Sequence, residues 1–246
     1  MGLFIGRCRV DLVCLAWGTL VLSACTSDQD TVKTEAAKTL MEASTEVIFA
    51  SAEALGPHRL RTVLTVTEYH NGAQSSEHQE IQIIDWVDWD NWHVERSVDN
   101  ETVEDVWIVN GQTFEKRSGS ILAKRDGEPY RVQLRNTWNQ WESTMRPFNA
   151  VVSWEKQQQE TLFDRKSQVY QGQRDPNKVQ SASLKVKNFT STIWVDENTA
   201  VRLLGQMEGL LQNGTYEKQV DLKLERLDIN SEVVSERIQE LGAIAN

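Results

Sequence analysis

The chain is 246 residues long and 39% hydrophobic, with 36 Asp and Glu against 26 Lys and Arg, a formal charge of −10. That balance argues against nucleic acid or anionic lipid headgroups as generic partners of its surface. Three cysteines give no disulfide framework, and the length suits one domain with a sizeable core.

Arg7 and Arg9 precede an apolar run from Leu12 to Leu22 that ends in "LSACTSDQD". Basic residues, a short apolar core and small residues describe a secretory signal peptide. The run is shorter than the roughly 20 residues that a membrane-spanning helix needs. Leu22, Ser23, Ala24 and Cys25 resemble the bacterial lipobox, although Asp11 at the edge of the run is a mild departure. The resemblance implies removal of residues 1–24 and acylation of Cys25, by chains such as palmitate, at the new N-terminus. In Gram-negative lipoproteins Asp after that cysteine favours the inner membrane. Thr26 and Ser27 follow here, which points to the outer membrane, facing the periplasm. Cleavage takes away Arg7, Arg9, Asp11, Cys8 and Cys14, and leaves an acidic chain of formal charge −11 with Cys25 as its one thiol.

Residues 25–34 read as a lipidated tether and 35–246 as the domain. From Glu35 to Leu55, Ala36, Leu40, Ala43, Val47, Ala50 and Ala54 recur at spacings of three and four, predicting a helix that Gly56-Pro57 ends. Strands follow. Leu60, Leu64 and Val66 share one face of the first, and Asn71-Gly72 turns it into "SEHQEIQIIDW". "DWDN" is a second turn, Asn110-Gly111 a third, and "SILAKRD" a shorter strand. "YRVQLRNTWNQWESTM" and "NAVVSWEKQQQ" predict helices near 130–157, broken at Pro147, with Trp138, Trp141 and Met145 on one helical face. Strands resume at "ETLFDRKSQVYQG". In the last third, Val201, Leu203, Met207 and Leu211 share one strand face, and Tyr216, Val220, Leu222 and Leu224 share the next. One-sided alternation of this kind suits an antiparallel sheet, here of about seven to eleven strands.

"DNWHVERSVDN…EDVWIVNGQTF" and "TIWVDENTAVRLL", with Trp194, Val195, Asp196, Thr199, Val201 and Arg202, and above all the order of elements, resemble the periplasmic lipoprotein carriers of the LolA/LolB group. They also resemble mycobacterial lipid-binding lipoproteins and RseB-type sensor domains. The resemblance implies an α+β, mainly β fold: a strongly curved antiparallel half-barrel with an N-terminal helix and a helical lid insertion. Such a half-barrel is a receptacle for an acyl chain. The dedicated carrier is soluble, whereas an anchored chain is closer to LolB-type acceptors. No arginine is matched by sequence to the one that latches the carrier shut.

Eight of the nine tryptophans lie outside the leader. Trp86, Trp92, Trp107, Trp138, Trp141, Met145, Phe148 and Trp154 are the candidate cavity lining; large aromatic side chains bury much apolar area and an indole N–H can meet a lipid oxygen. Core packing or a protein-contact patch uses the same residues. In "DWVDWDNW" the tryptophans fall three apart, so at least one of Trp86, Trp89 and Trp92 points outward or sits in the turn.

No enzymatic signature is present. His58, His70, His78 and His93 show no H-E-x-x-H spacing, and there is no nucleophile elbow or phosphate loop. Asp85, Asp88 and Asp90 lack the EF-hand spacing for calcium. No cofactor is expected. The expected partners are the membrane, through the lipid, and a lipid or lipoprotein acyl chain. The alternative is an anchored module with a fully packed core that binds another envelope protein.

Overall fold

The computed structural model describes residues 53–117, 120–124, 140–178 and 184–245. Residues 53–55 are helical, and the helix stops at Gly56, whose φ of +70° puts it in the left-handed region. A Cβ there would stand 2.3 Å from Asn230 Oδ1, so both backbone and space require glycine. The rest of the helix expected over 35–55, with the tether and Cys25, lies outside the described residues.

Strands β1 (His58–His70), β2 (Ala73–Asp88), β3 (Asn91–Val98), β4 (Glu101–Val109), β5 (Gln112–Arg117) and β6 (Ser120–Lys124) come first. Helix α1 (Gln140–Met145) intervenes before β7 (Val152–Leu162), β8 (Arg165–Arg174), β9 (Lys185–Asp196), β10 (Arg202–Asn213) and β11 (Tyr216–Leu227), and α2 (Glu232–Ala245) ends the chain. All eleven strands form one sheet, in the order β6-β5-β4-β3-β2-β1-β11-β10-β9-β8-β7. The pairings are antiparallel, and β1 with β11 joins two meanders at the centre. The sheet does not close, since β6 and β7 are its edges. It is a curved half-barrel, α+β and mainly β. Register shifts in β2, β10 and elsewhere are the bulges that bend such a sheet.

Turn chemistry sets the register. Asn71-Gly72 and Asn110-Gly111 have positive φ at both residues, the condition of a tight hairpin turn that matches strand twist. Asp99-Asn100 and Phe163-Asp164 adopt the same signs without glycine.

Residues paired across the ladders share a face. The inner face carries Leu60, Ile84, Val94, Met207, Leu222 and Leu224, all buried in one core cluster. Val201 and Leu203 leave that face: the register shift between Arg202 and Leu204 places them with Leu55 in a smaller cluster at the sheet's end.

Two elements differ from the sequence expectation. The helix expected to continue to residue 157 gives way after Met145 to turns, and Val152–Leu162 is strand β7. Its "EKQQQ" favours helix and lacks alternation because an edge strand here is mostly exposed; pairing with β8 outweighs local propensity. The residues 130–139 lie outside the described part. Helix α2 was not expected, yet its signals are in the sequence. Ser231 caps it, its Oγ accepting from the Val233 N–H at 3.3 Å, and Val234 and Ile238 are buried four apart.

Candidate functional site

The path from β6 to β7 connects opposite edges of an open sheet. The connecting segment must therefore cross over a face, and residues 140–151 lie on the inner one. Their side chains settle into places where the sheet has no side chain. A Cβ at Gly205 would stand 2.6 Å from the Trp141 ring, and one at Gly209 2.3 Å from Phe148. On the edge strand Trp154 covers Gly172 in the same way, at 2.7 Å. Trp141, Met145 and Phe148 are buried, and Phe148 stacks on Phe189 with centroids 5.0 Å apart. Trp86 and Trp92 pair directly across β2 and β3 on this same face. Trp89 takes the turn between them, edge-on to Trp86 at 4.8 Å, its Nε1–H donating to Glu53 Oε1 at 2.7 Å.

Of the candidate lining residues, Trp86, Trp92, Trp141, Met145, Phe148 and Trp154 thus gather on one face. Trp107 does not: it pairs with His93 and Phe114 on the outer face and packs against both rings. Alternation explains this, because Val106 and Ile108 on either side of it are the inward residues of β4. Trp138 lies outside the described residues.

Several inner polar atoms are buried without a hydrogen-bond partner among the described residues: Gln82 Oε1, Trp92 Nε1, Tyr170 Oη and Gln140 Nε2. Gln140 uses its Oε1 to accept from the Thr62 hydroxyl, one tie between α1 and the sheet. The second tie is Arg202, buried at the start of β10. Its Nη2 lies 3.1 Å from Glu142 Oε1 and its guanidinium 4.7 Å over the Trp141 ring. Burial lowers its pKa, and Glu142 opposes that effect. Arg226, equally buried, donates from Nε to the Arg202 carbonyl at 2.9 Å and from Nη1 to His58 Nε2 at 2.7 Å. His58 Nδ1 meets the Gly56 carbonyl at 2.8 Å, so the ring is neutral with Nδ1 protonated and Nε2 accepting. Burial and then the Arg226 charge push His58 down to about 3. Sequence reading named Arg202 only within the resemblance and missed Arg226, since nothing local distinguishes a buried Arg from an exposed one.

On the outer face Asp85 is buried and holds Arg59 in a two-point pair, at 2.7 and 2.6 Å. His93 bridges towards Asp85, and its Nε2–H donates to Asp105 Oδ1 at 2.8 Å. Arg237 of α2 reaches Asp85 at 3.5 Å and Asp228 at 2.8 Å, so the helix is tied to this network. Asp85 therefore faces arginines, while Asp88 accepts from the Asp90 N–H within the turn, and the three aspartates do not converge. His70 and His78 are also apart: His70 packs on Tyr216 and His78 pairs with Asp99. Among the described residues no group of three or more His, Cys, Asp or Glu could hold a metal ion, and no helix is long and apolar enough to cross a membrane.

No family model matches the sequence, and no curated protein matches it. Among solved structures it is similar to LprF from Mycobacterium bovis, at 13% identity over 77% of this chain and 91% of that one, with a TM-score of 0.31. It is similar to LppX from Mycobacterium tuberculosis, at 9% identity, 83% and 97% coverage and a TM-score of 0.27. A LolA superfamily protein from Nitrosomonas europaea is similar at 8% identity, 77% and 92% coverage and a TM-score of 0.24. No residue's role is carried over from them.

Proposed function

We propose that the chain is a lipid-anchored envelope protein, without enzymatic activity, that takes up an acyl chain between the inner face of its sheet and a lid made by residues 140–151. One observation carries this: the lid's rings, Trp141 and Phe148, fill glycine hollows on β10 that no sheet side chain occupies. Such a plug can leave. Gly205 and Gly209 point the same way on one strand, so withdrawal of both rings opens a strip lined by Met207, Leu222 and Phe189. Opening needs the Arg202–Glu142 pair and the Gln140–Thr62 bond to break. Roughly ten buried methylenes then contribute about 8 kcal/mol, the free energy of a micromolar complex. Residues 1–24 would be the leader, 25–34 the tether, and Cys25 the anchor at the outer membrane.

Phe148 is wholly buried, and that favours a second reading, an anchored module whose packed core only supports a protein-binding surface. A fluorescent fatty acid added to the chain purified as Cys25→Ala separates the two. The carrier takes it up, and Trp141→Ala, unstable by roughly 3–5 kcal/mol alone, recovers stability with the ligand. No uptake by the Trp141-containing chain, with no lipid copurified in native mass spectrometry, selects the module.

A further inference from the structure

Arg226 is a buried cation on the inner face. It lies opposite Leu60 and two residues from Leu224, with 6% of its surface exposed. Three other arginines that are partly or wholly buried have a carboxylate: Arg59 has Asp85, Arg165 has Asp196, and Arg202 has Glu142, while the half-buried Arg174 donates to the Val186 carbonyl. Arg226 has none among the described residues. Its partners are a backbone carbonyl and a neutral histidine, and its remaining N–H groups meet no protein acceptor there. The charge that acts on it most is that of Arg202, of the same sign. Burying a cation without a counter-charge is expensive, and a fold that keeps one has a use for it.

Resting on the acyl-chain reading above, we infer that the ligand is an anionic amphiphile, with its carboxylate or phosphate on Arg226 and Arg202 and its chain along the inner face. His58 pairs across the ladder with Trp86, so the cationic end adjoins the aromatic wall. From Arg226 the apolar row continues through Leu224, Leu222 and Val220 of β11. Glu142 of α1 holds Arg202 in the closed form as the headgroup would in the open one, and the ligand displaces it. Charge thereby opens the lid and then holds the cargo. Burial, and then Arg202, lower Arg226 to about 9, which leaves it charged at neutral pH. The acidic surface does not oppose this, because the site is internal and local.

The test uses the full chain purified as Cys25→Ala, with oleate, oleyl alcohol and acetate as probes, followed by tryptophan fluorescence and calorimetry at pH 8. Oleate binds at least tenfold tighter than oleyl alcohol, and acetate binds far more weakly than either. Arg226→Gln brings the oleate-to-alcohol ratio to about one, and Arg226→Lys restores a preference. Glu142→Gln, half-buried on the lid, tightens oleate more than the alcohol and serves where Arg226→Gln does not fold. Equal affinities for oleate and alcohol, a ratio unmoved in Arg226→Gln, or a Glu142→Gln effect equal on both overturns the inference and leaves the acyl-chain reading standing. Acetate as tight as oleate makes this a small-anion site and also overturns it. Binding of neither amphiphile overturns both.

Discussion

Two buried histidines of this chain are held in opposite states. His58 stays neutral because its Nδ1–H is given to the Gly56 carbonyl and its Nε2 faces Arg226. His93 is buried too, which would lower it, but its bonds to Asp105 and Asp85 win and raise it. The signs follow from proton counts. His58 is lowered from 6.5 to about 3, so below pH 6.5 the unfolded chain binds a proton that the fold refuses. Stability is then lost as pH falls from 6.5 towards 3, by about 5 kcal/mol at the end of that window. Burial would raise Asp85, but Arg59 and His93 bring it down to about 2, so its contribution is present above pH 4 and lost through pH 2. For His93 the contribution is full below pH 6.5 and is lost as pH rises through its raised value. Urea midpoints measured from pH 7 to 4 should fall for the unmutated chain and fall distinctly less for His58→Gln, which keeps an acceptor for Arg226. Parallel slopes would mean that His58 is not the group concerned. None of this was legible in the sequence: His58 and Arg226 are 168 positions apart, and only the β1–β11 pairing brings them together.

Elements were far more legible than their faces. Asn-Gly turns and one-sided alternation located most strands, because both signals are local. The sheet's central pairing, β1 on β11, left no such signal, and neither did the edge role of β7. Trp107 shows the limit well. Its residue type suited the inner face, but its odd place between Val106 and Ile108 sent it outward, and register decides such cases. Under the outer face α2 packs on β2, β3 and β4, with Val234 and Ile238 buried and Gly242 close against Val109. A docked helix of this kind makes a sharp contrast between its two sides. Ile238→Ala should cost about 2–4 kcal/mol in urea denaturation, whereas Val233→Ala, on the exposed side, stays within about 0.5 kcal/mol. Similar losses for the two would show that α2 does not rest on the sheet.

At the scale of the whole molecule the proposed anchor raises the question of what would keep the chain at a membrane. The chain that the proposed cleavage would leave carries a formal charge of −11, so anionic headgroups would repel its surface rather than hold it. Among the described residues no helix spans a bilayer. On the proposed reading attachment falls on Cys25, and one acyl chain gives only marginal, reversible binding, whereas two or more make a lasting anchor. An anchor of that strength is insensitive to salt, unlike a charged patch, which a salt wash releases. Cys25→Ala should then move the protein from the membrane fraction to the soluble one. The unmutated protein should incorporate labelled palmitate and stay membrane-bound in 1 M salt, a concentration that screens charges beyond about 3 Å. A Cys25→Ala chain that still sediments with membranes, together with an unmutated chain that takes up no label, would falsify the lipobox assignment and leave the inner-face proposals to be judged on their own tests.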